Sequence, residues 1–403
     1  MKVLMLAHRL PFPPDRGDRI RSWHVLKALA AKFAVYLGCF AESAEELQHL
    51  PVVDGLVKGR CVPLRRKPLP LAGLQAIAEQ RPVSETAFDS AALRQWAVQT
   101  VRREKIDAIY VFSGQMGQFV PAGFRGRLLV DLVDVDSAKF EGYAKQKPGP
   151  VGWIDRREAR LLRQVEADLA RRADATFLVS DAEADLLRSR TDGGRIETLR
   201  NGIDTRFFEP ASVSTEGTYD GPGPHIVFTG QMDYRPNADA VVMFARQVMP
   251  AIVAHHPQAR FHIVGRNPVA QVRALDGQGG CLVHGGVPDM RPYLAGADVV
   301  VAPLMLARGV QNKVLEAMAM ARPVVLTPEA ATGIGAADGR HFAVASSAAE
   351  FRDTVLRLIA EPKAATRMGK AARDFVTEHL GWDAVLADLP AHVTGEADRR
   401  DAA

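Results

Sequence analysis

The sequence predicts an α/β protein made of two parallel-sheet halves, and three observations carry that expectation. Short apolar runs of strand character alternate with patterns of helical period, the signature of parallel α/β layers. Residues 209–224, rich in Pro, Gly, Ser and Thr, interrupt the alternation. A second alternating set of similar length then follows.

In the first half, strands are expected at residues 2–7, 35–39, 108–111, 128–132, 175–179 and 195–199. Asp18 is placed to cap a helix whose Ile20, Trp23, Leu26, Leu29 and Ala30 share one face. Residues 161–173 read as another helix, with Leu161, Leu162, Val165, Leu169 and Ala170 on its buried side. In the second half, strands are expected at 225–229, 260–264, 281–284, 299–303, 324–326 and 341–344, with helices at 243–255 and 312–321. The resulting boundaries are a first Rossmann-like domain over 1–208, a linker over 209–224 and a second Rossmann-like domain over 225–376. Residues 377–403 read as a helix returning toward the first domain, with a frayed, polar tail from Glu396. Open α/β sheets bind ligands at the C-terminal edges of their strands, so two such domains are expected to face each other across a cleft.

Composition bounds the function. The chain has 403 residues, 47% hydrophobic and 24% charged, within the range of soluble globular proteins. A net charge of +4 from 51 basic and 47 acidic residues gives no argument for nucleic acid. Cys39, Cys61 and Cys281 are odd in number and far apart, with neither zinc spacing nor a disulfide framework, which points to a reducing compartment. The first apolar run ends at His8 and Arg9, too short for a signal peptide. No stretch approaches the roughly 18 apolar residues that span a bilayer. The expectation is a cytoplasmic protein.

The run from Arg308 to Glu316 is the most informative part of the chain. Gly309 allows a tight turn and close backbone approach to a ligand. Val310, Gln311 and Asn312 lead into a helix whose free N–H groups form a phosphate site. Lys313 adds positive charge, and Glu316 lies three residues on, on the same face. A carboxylate suits sugar hydroxyls and repels phosphate. The combination suggests a nucleotide held by its diphosphate and its ribose; the bland alternative is a capped helix with a solvated Lys–Glu pair. No G-x-G-x-x-G follows the first strand and no Walker A motif is present, which weakens dehydrogenase and P-loop readings.

Five ordered segments resemble glycosyltransferase family 4, the retaining GT-B enzymes. They are Arg200 to Asp204 with Phe207 and Pro210, Ile226 to Ala240, Phe261 to Gly265, His284 to Val299, and the run from Arg308 onward. The segment from Leu129 to Ser137 and the early loop ending at Gly17 look closest to sugar transferases of the PEP-CTERM/exosortase system. The resemblance implies a GT-B fold, a nucleotide-diphosphate sugar as co-substrate and an acceptor on the first domain. It also implies retention at the anomeric carbon and no metal or other cofactor. Expected partners are therefore a nucleotide-sugar donor and a glycan or lipid-linked acceptor, in bacterial exopolysaccharide biosynthesis.

Residue by residue, Glu316 matches the second acidic position of the family's E-x7-E pattern, where it would bind the donor ribose. The first position falls on Arg308, an arginine that favours phosphate where the family has an acid. Gln231 stands where the family often has a diphosphate-binding arginine; Arg235 and Arg266 are nearby candidates for that charge. Arg308 and Lys313 are expected to neutralise the diphosphate instead. The main-chain groups of Gly309 and Val310 remain able to contact the sugar. Gly17 sits where the family has a glycine loop near the donor phosphate. Asp134 follows a strand and is a candidate to orient a sugar hydroxyl or take a proton, while Asp131 reads as an inward polar residue and Asp136 as a cap. His8, His24 and His284 show no paired ligand pattern.

The basic run from Arg60 to Lys67 precedes the apolar segment 69–77, and Arg102, Arg103, Lys105, Arg156 and Arg157 lie in the same half. Such a surface suits peripheral docking on the inner face of the cell membrane, or is an ordinary solvated face. Two other functions stay open: a nucleotide-sugar epimerase, which needs no acceptor, and a degenerate nucleotide-sugar-binding partner protein, kept alive by Arg308 and Gln231.

Overall fold

The computed structural model describes residues 1–146, 149–307 and 310–401. They form two compact units, Met1–Asn201 with Val385–Ala403, and Gly202–Ala384. In the first unit, strands β1 (Lys2–Ala7), β2 (Ala34–Gly38), β3 (Gly59–Cys61), β4 (Ala108–Phe112), β5 (Arg127–Val133), β6 (Ala175–Leu178) and β7 (Ile196–Thr198) make one sheet in the order β3-β2-β1-β4-β5-β6-β7. In the second, β8 (His225–Thr229), β9 (Arg260–Val264), β10 (Cys281–Gly285), β11 (Val299–Ala302), β12 (Val324–Leu326) and β13 (Ala343–Val344) follow the order β10-β9-β8-β11-β12-β13. Pairings in both sheets are parallel. The central strands read as unbroken apolar runs because helices cover both faces; β1, β4, β8 and β11 are buried along nearly their whole length. Each unit is thus a doubly wound Rossmann-like layer with its own core.

Several local expectations change. Strand β3 was not expected, because three residues of Gly, Arg and Cys at a sheet edge carry no apolar pattern. Asp18 does not cap the Gly17–Ala30 helix. The N-cap position is Arg16, with no side-chain bond, and Asp18 accepts hydrogen bonds from Arg9 and His8. That helix buries Arg19, Arg21, Ser22 and His24 along with Leu26 and Leu29, whereas Ile20, Trp23 and Ala30 are half-buried. Expected helix 161–173 is the second half of a 23-residue helix, Pro150–Arg172, whose Arg-rich start hid its period. Expected helix 243–255 contains a π-turn at Phe244–Val248.

The first boundary falls after Asn201 rather than after residue 208, and residues 209–224 belong to the second unit. Tyr219 anchors them there: its ring stacks 4.1 Å from that of His225, and its hydroxyl donates to the Tyr293 carbonyl. At the other end, Val385–Ala403 completes the first unit. Arg127 donates to the His392 carbonyl at 2.8 Å and to both oxygens of Asp398 at 2.7 and 3.2 Å, so the tail from Glu396 is a helix with an anchoring acid. No described helix is long and apolar enough to cross a membrane.

The first unit is locked by a buried ion pair. Asp131, on β5, is fully buried, and Arg21 is 1% exposed. Arg21 donates through Nε at 2.8 Å and Nη2 at 3.0 Å, a fork-to-fork pair, and Tyr110 donates to the same carboxylate at 2.8 Å. The remaining Arg21 nitrogen donates to Asn201 Oδ1 and the Arg200 carbonyl, at 3.1 and 3.2 Å. Asp131 therefore gathers a helix, two strands and the end of β7 around one charge. Removing one partner strands the other without water, so Arg21→Ala should lower unfolding stability by about 3–5 kcal/mol in urea melts.

The second unit lines up three histidines on neighbouring strands, His225 and His262 buried and His284 half-buried. His262 Nε2 lies 3.0 Å from His225 Nδ1, and His284 Nε2 lies 2.9 Å from His262 Nδ1. His225 also bonds the Gly221 backbone, and the Tyr293 hydroxyl reaches His284 Nδ1 at 3.4 Å. Those partners are all satisfied by one neutral tautomer set, each ring donating once and accepting once. A second proton on His225 or His262 would set N–H against N–H. Burial pushes the His262 pKa down to about 3, and lowers those of His225 and His284. In the unfolded chain these rings titrate near the ordinary 6.5. Their contribution is present above that pH and is lost as pH falls below it, by up to about 1.4 kcal/mol per pH unit for each histidine. His262→Gln should flatten the acid side of a plot of Tm against pH.

Candidate functional site

The C-terminal edge of the second sheet is where an open α/β layer presents its turns. Strand β8 ends at Thr229, and Gly230 opens the turn into the Arg235–Met243 helix. At Gly265, after β9, a Cβ would stand 1.6 Å from the Gly230 carbonyl oxygen, so only glycine fits. A Cβ at Gly230 would stand 2.8 Å from Asn237 Nδ2 and 3.1 Å from Lys313 Nζ. The two glycines bring backbone, amide and ammonium into one small volume.

Asn237 organises that volume. It is 5% exposed, donates through Nδ2 to the Gln231 carbonyl at 2.8 Å, and accepts from Lys313 Nζ through Oδ1. Lys313 also lies 4.7 Å above the Phe228 ring. The Asn312–Ala319 helix carries Lys313 and Glu316 one turn apart and packs Val314, Leu315, Ala317 and Met318 into the core. Apolar residues on the inner face hold the two ionisable groups at the sheet edge. Burial lowers the Lys313 pKa to about 8, against the pull of Glu316. Burial likewise raises that of Glu316 to about 7, against the pull of Lys313. The ammonium is committed to Asn237 and does not close a salt bridge on Glu316, so the solvated Lys–Glu pair of the bland alternative is not formed. The arrangement offers a held cation and, three residues on, a partly buried acceptor-only carboxylate.

The other expected residues distribute as follows. Gln231 is exposed and, with Asp233, Tyr234 and Asn237, lines a cleft of about 400 Å³. Arg235 has a 92% exposed side chain and pairs with Asp239 at 3.4 Å, away from Lys313. Arg266 lies against Gly286. Gln311 is the N-cap position and Asn312 the first helical residue; Val310 is 36% exposed and lies near Gly333. Arg308 and Gly309 lie outside the described residues. Asn237 and Phe228 were not singled out as site residues, and only the early position of an Asn after a Gly turn hinted at the first.

The remaining two residues are in the first unit. Gly17 starts its helix in open space: no atom lies within 4 Å of a Cβ built there, so neither packing nor backbone demands glycine. Asp134 accepts from Lys139 at 2.9 Å, and Asp136 binds the same ammonium at 3.0 Å. Asp131, between β4 and β6, is the inward carboxylate. Val133 has φ +69° and Ser113 φ +77°, two strained backbones at the ends of β5 and β4. At the end of β1, His8 bonds Asp18 at 3.0 Å and stacks 5.8 Å from Phe112. His8 and Arg9 hold the Asp18 carboxyl well below the usual carboxylate range, although burial opposes them. This acid–imidazole pair carries no spacing signal in the sequence.

Comparison with known proteins agrees with these two layers. Residues 16–202 match the model of the glycosyl transferase 4-like domain, and residues 223–361 match that of glycosyl transferases group 1. The alpha-maltose-1-phosphate synthase of Mycolicibacterium smegmatis is 30% identical over 242 residues, covering 54% of this chain and 62% of that protein. Among solved structures, Anabaena HepE in complex with UDP and glucose aligns with a TM-score of 0.60 at 15% identity, over 98% of this chain and 99% of that one. The sucrose-phosphate synthase of Thermosynechococcus elongatus aligns with a TM-score of 0.61 at 18% identity, over 99% and 98%. Both units are Rossmann-like, the neighbours share their GT-B fold, and the two transferase models match them in order: the chain belongs to the family 4 type of glycosyltransferases.

Proposed function

We propose that the second unit binds a nucleoside diphosphate sugar and that the protein transfers the sugar, with retention, to a hydroxyl of a glycan or lipid-linked glycan. The observation that carries this reading is the pairing of Lys313, held by Asn237 beside Gly230, with the Glu316 carboxylate one turn further on. Lys313 suits the diphosphate and Glu316 the ribose hydroxyls. The UDP complex of HepE makes UDP the first nucleotide to test. Arg308, which lies outside the described residues, is proposed as the second diphosphate cation, in place of a charge at Gln231.

In the proposed reaction the anomeric carbon–oxygen bond to the diphosphate breaks and the acceptor oxygen bonds the same face of that carbon. The acceptor's proton passes to the departing phosphate oxygen. No dedicated protein base is then needed, which fits Asp134 being tied to Lys139. Lys313 and the helix start would stabilise the charge that grows on the leaving group. The resemblance of residues 129–137 to the exosortase-associated transferases supports a place in exopolysaccharide assembly.

Purified protein should be stabilised in thermal-shift assays by one family of UDP-, GDP- or dTDP-sugars and should then hydrolyse or transfer that donor. Glu316→Ala should abolish the turnover. Donor binding without any turnover would favour the binding-protein reading, and interconversion of donor sugars without acceptor would favour the epimerase.

Both key groups are displaced toward their neutral forms, so pH tests the assignment. UDP affinity should be greatest between about 7, where Glu316 ionises, and about 8, where Lys313 loses its proton. Glu316→Gln should remove the acid limb and weaken binding between those limits by about 10-fold or more, the worth of a charge-assisted hydrogen bond. Stability should move the other way. A carboxyl whose pKa is raised in the folded state destabilises the fold increasingly as pH climbs from its unfolded value of 4.5 through about 7. Ligand-free Glu316→Gln should therefore melt higher than the parent above that range, by about 2–4 °C for roughly 1 kcal/mol after screening.

A further inference from the structure

The first unit has a face that is built inside out. The Leu69–Ala78 helix seats itself on the unit through Ala72 and Ala76. Its bulky apolar side chains point away: Leu69, Leu71, Leu74 and Ile77 are 56–67% exposed. A helix that only covered a core would show the opposite arrangement. The helix is bonded to the start of the Pro150–Arg172 helix, where Arg157 donates to the Ala76 and Arg81 carbonyls at 2.5 and 3.2 Å. Glu158, next along, accepts from the Val83 and Ser84 backbones at 2.8 and 2.9 Å. One turn before Arg157, Trp153 and Ile154 are 55% and 50% exposed. Exposed apolar surface therefore lies on two helices joined by hydrogen bonds. Single-chain proteins rarely leave apolar patches larger than a few hundred Å² exposed unless they are used.

Charge borders this face, but not where composition placed it. In the basic run before the apolar helix, Arg60 is paired with Asp54, Arg65 with Glu42, and Lys67 with Gln75. Arg66 in that run is exposed with no acidic partner among the described residues, and a further group of unpaired cations lies along the Pro150–Arg172 helix. Arg156, Arg160 and Arg163 follow one stripe, and with Lys145, Glu141 and two alanines they line a groove of about 530 Å³ against the Asp136–Gln146 helix. The only acid in that groove, Glu141, is held by both terminal nitrogens of Arg190, at 2.9 and 2.8 Å. Arg156, Arg160, Arg163 and Lys145 have no acidic partner among the described residues.

We propose that this face docks on an anionic lipid bilayer. Leu69, Leu71, Leu74, Ile77, Trp153 and Ile154 enter the headgroup region, and the arginine groove meets lipid phosphates. Charge complementarity selects this occupant over a second copy of the chain. In a two-fold contact both partners would bring the same net-positive groove, whose one lining acid, Glu141, is already held by Arg190. The bilayer supplies phosphate and an apolar interior together, which is what the face presents. The inference deepens the proposed lipid-linked acceptor and rests on the first unit alone.

Vesicle flotation of the full chain tests it. The protein should float with vesicles of phosphatidylcholine mixed equally with phosphatidylglycerol, and not with phosphatidylcholine alone. Salt should weaken the binding, since the screening length falls from about 8 Å to about 3 Å between 0.15 and 1 M. The triple variant Arg156→Gln, Arg160→Gln, Arg163→Gln should lower the partition coefficient by about 100-fold. The double variant Leu71→Ser, Leu74→Ser should lower it by at least about ten-fold. Absence of flotation, or flotation that neither variant changes, overturns the proposal. So does a dimer in sedimentation that the leucine variant dissociates. Calorimetry with UDP, GDP and dTDP on the same samples reports the donor site separately: failure of all three would sink the transferase reading and leave the bilayer result standing.

Discussion

Where β8 and β9 end, two stretches of backbone touch with nothing between them, and the candidate site is a consequence of that contact. The Gly230 carbonyl occupies the space a side chain at 265 would need. Gly230 in turn leaves room for Asn237 and Lys313 to approach the main chain. The amide of Asn237 then spans the turn and the helix, one end on the Gln231 carbonyl and the other on the Lys313 ammonium. Three segments far apart in sequence meet at a fixed height above the sheet edge. Any side chain at either glycine would raise the turn and separate the ammonium from the amide that orients it.

How much of this was legible depends on whether a feature is local. β8, β9 and β12 have the expected bounds because central parallel strands are buried on both faces and read as unbroken apolar runs. β3, at the edge, leaves no such trace. The site helix was legible for the same reason: glycine, helix start, lysine and glutamate are close neighbours in sequence. Asn237 was not, since its partner Lys313 lies 76 residues away. Pattern alone cannot rank Asp131, Asp134 and Asp136. Arg21, 110 residues earlier, makes the first structural, and Lys139 takes up the other two.

Charge illustrates the same limit in both directions. The Arg60–Lys67 run is dense in sequence but largely paired in the fold, whereas the Pro150–Arg172 stripe is diluted by apolar residues and stays free. The units also handle buried titratable groups differently. Arg21 and Asp131 remain ionic because each supplies the other's solvation. The three histidines of the second unit avoid charge altogether by passing single hydrogen bonds along a row of neutral rings.

The discontinuity of the first unit has a consequence for synthesis. Chains emerge from the ribosome N-terminus first, and domains tend to fold in that order. Residues 202–384 are contiguous and can fold as soon as they are out, but the unit that begins at Met1 lacks Val385–Ala403 until the end. Until then Arg127 and Arg195 have neither the Asp398 carboxylate nor the His392 carbonyl, and the Phe177 ring has no imidazole packed at its edge. The half that starts first is thus the half that finishes last. During that interval its incomplete surface, including the outward-facing leucines, is exposed to whatever the nascent chain meets.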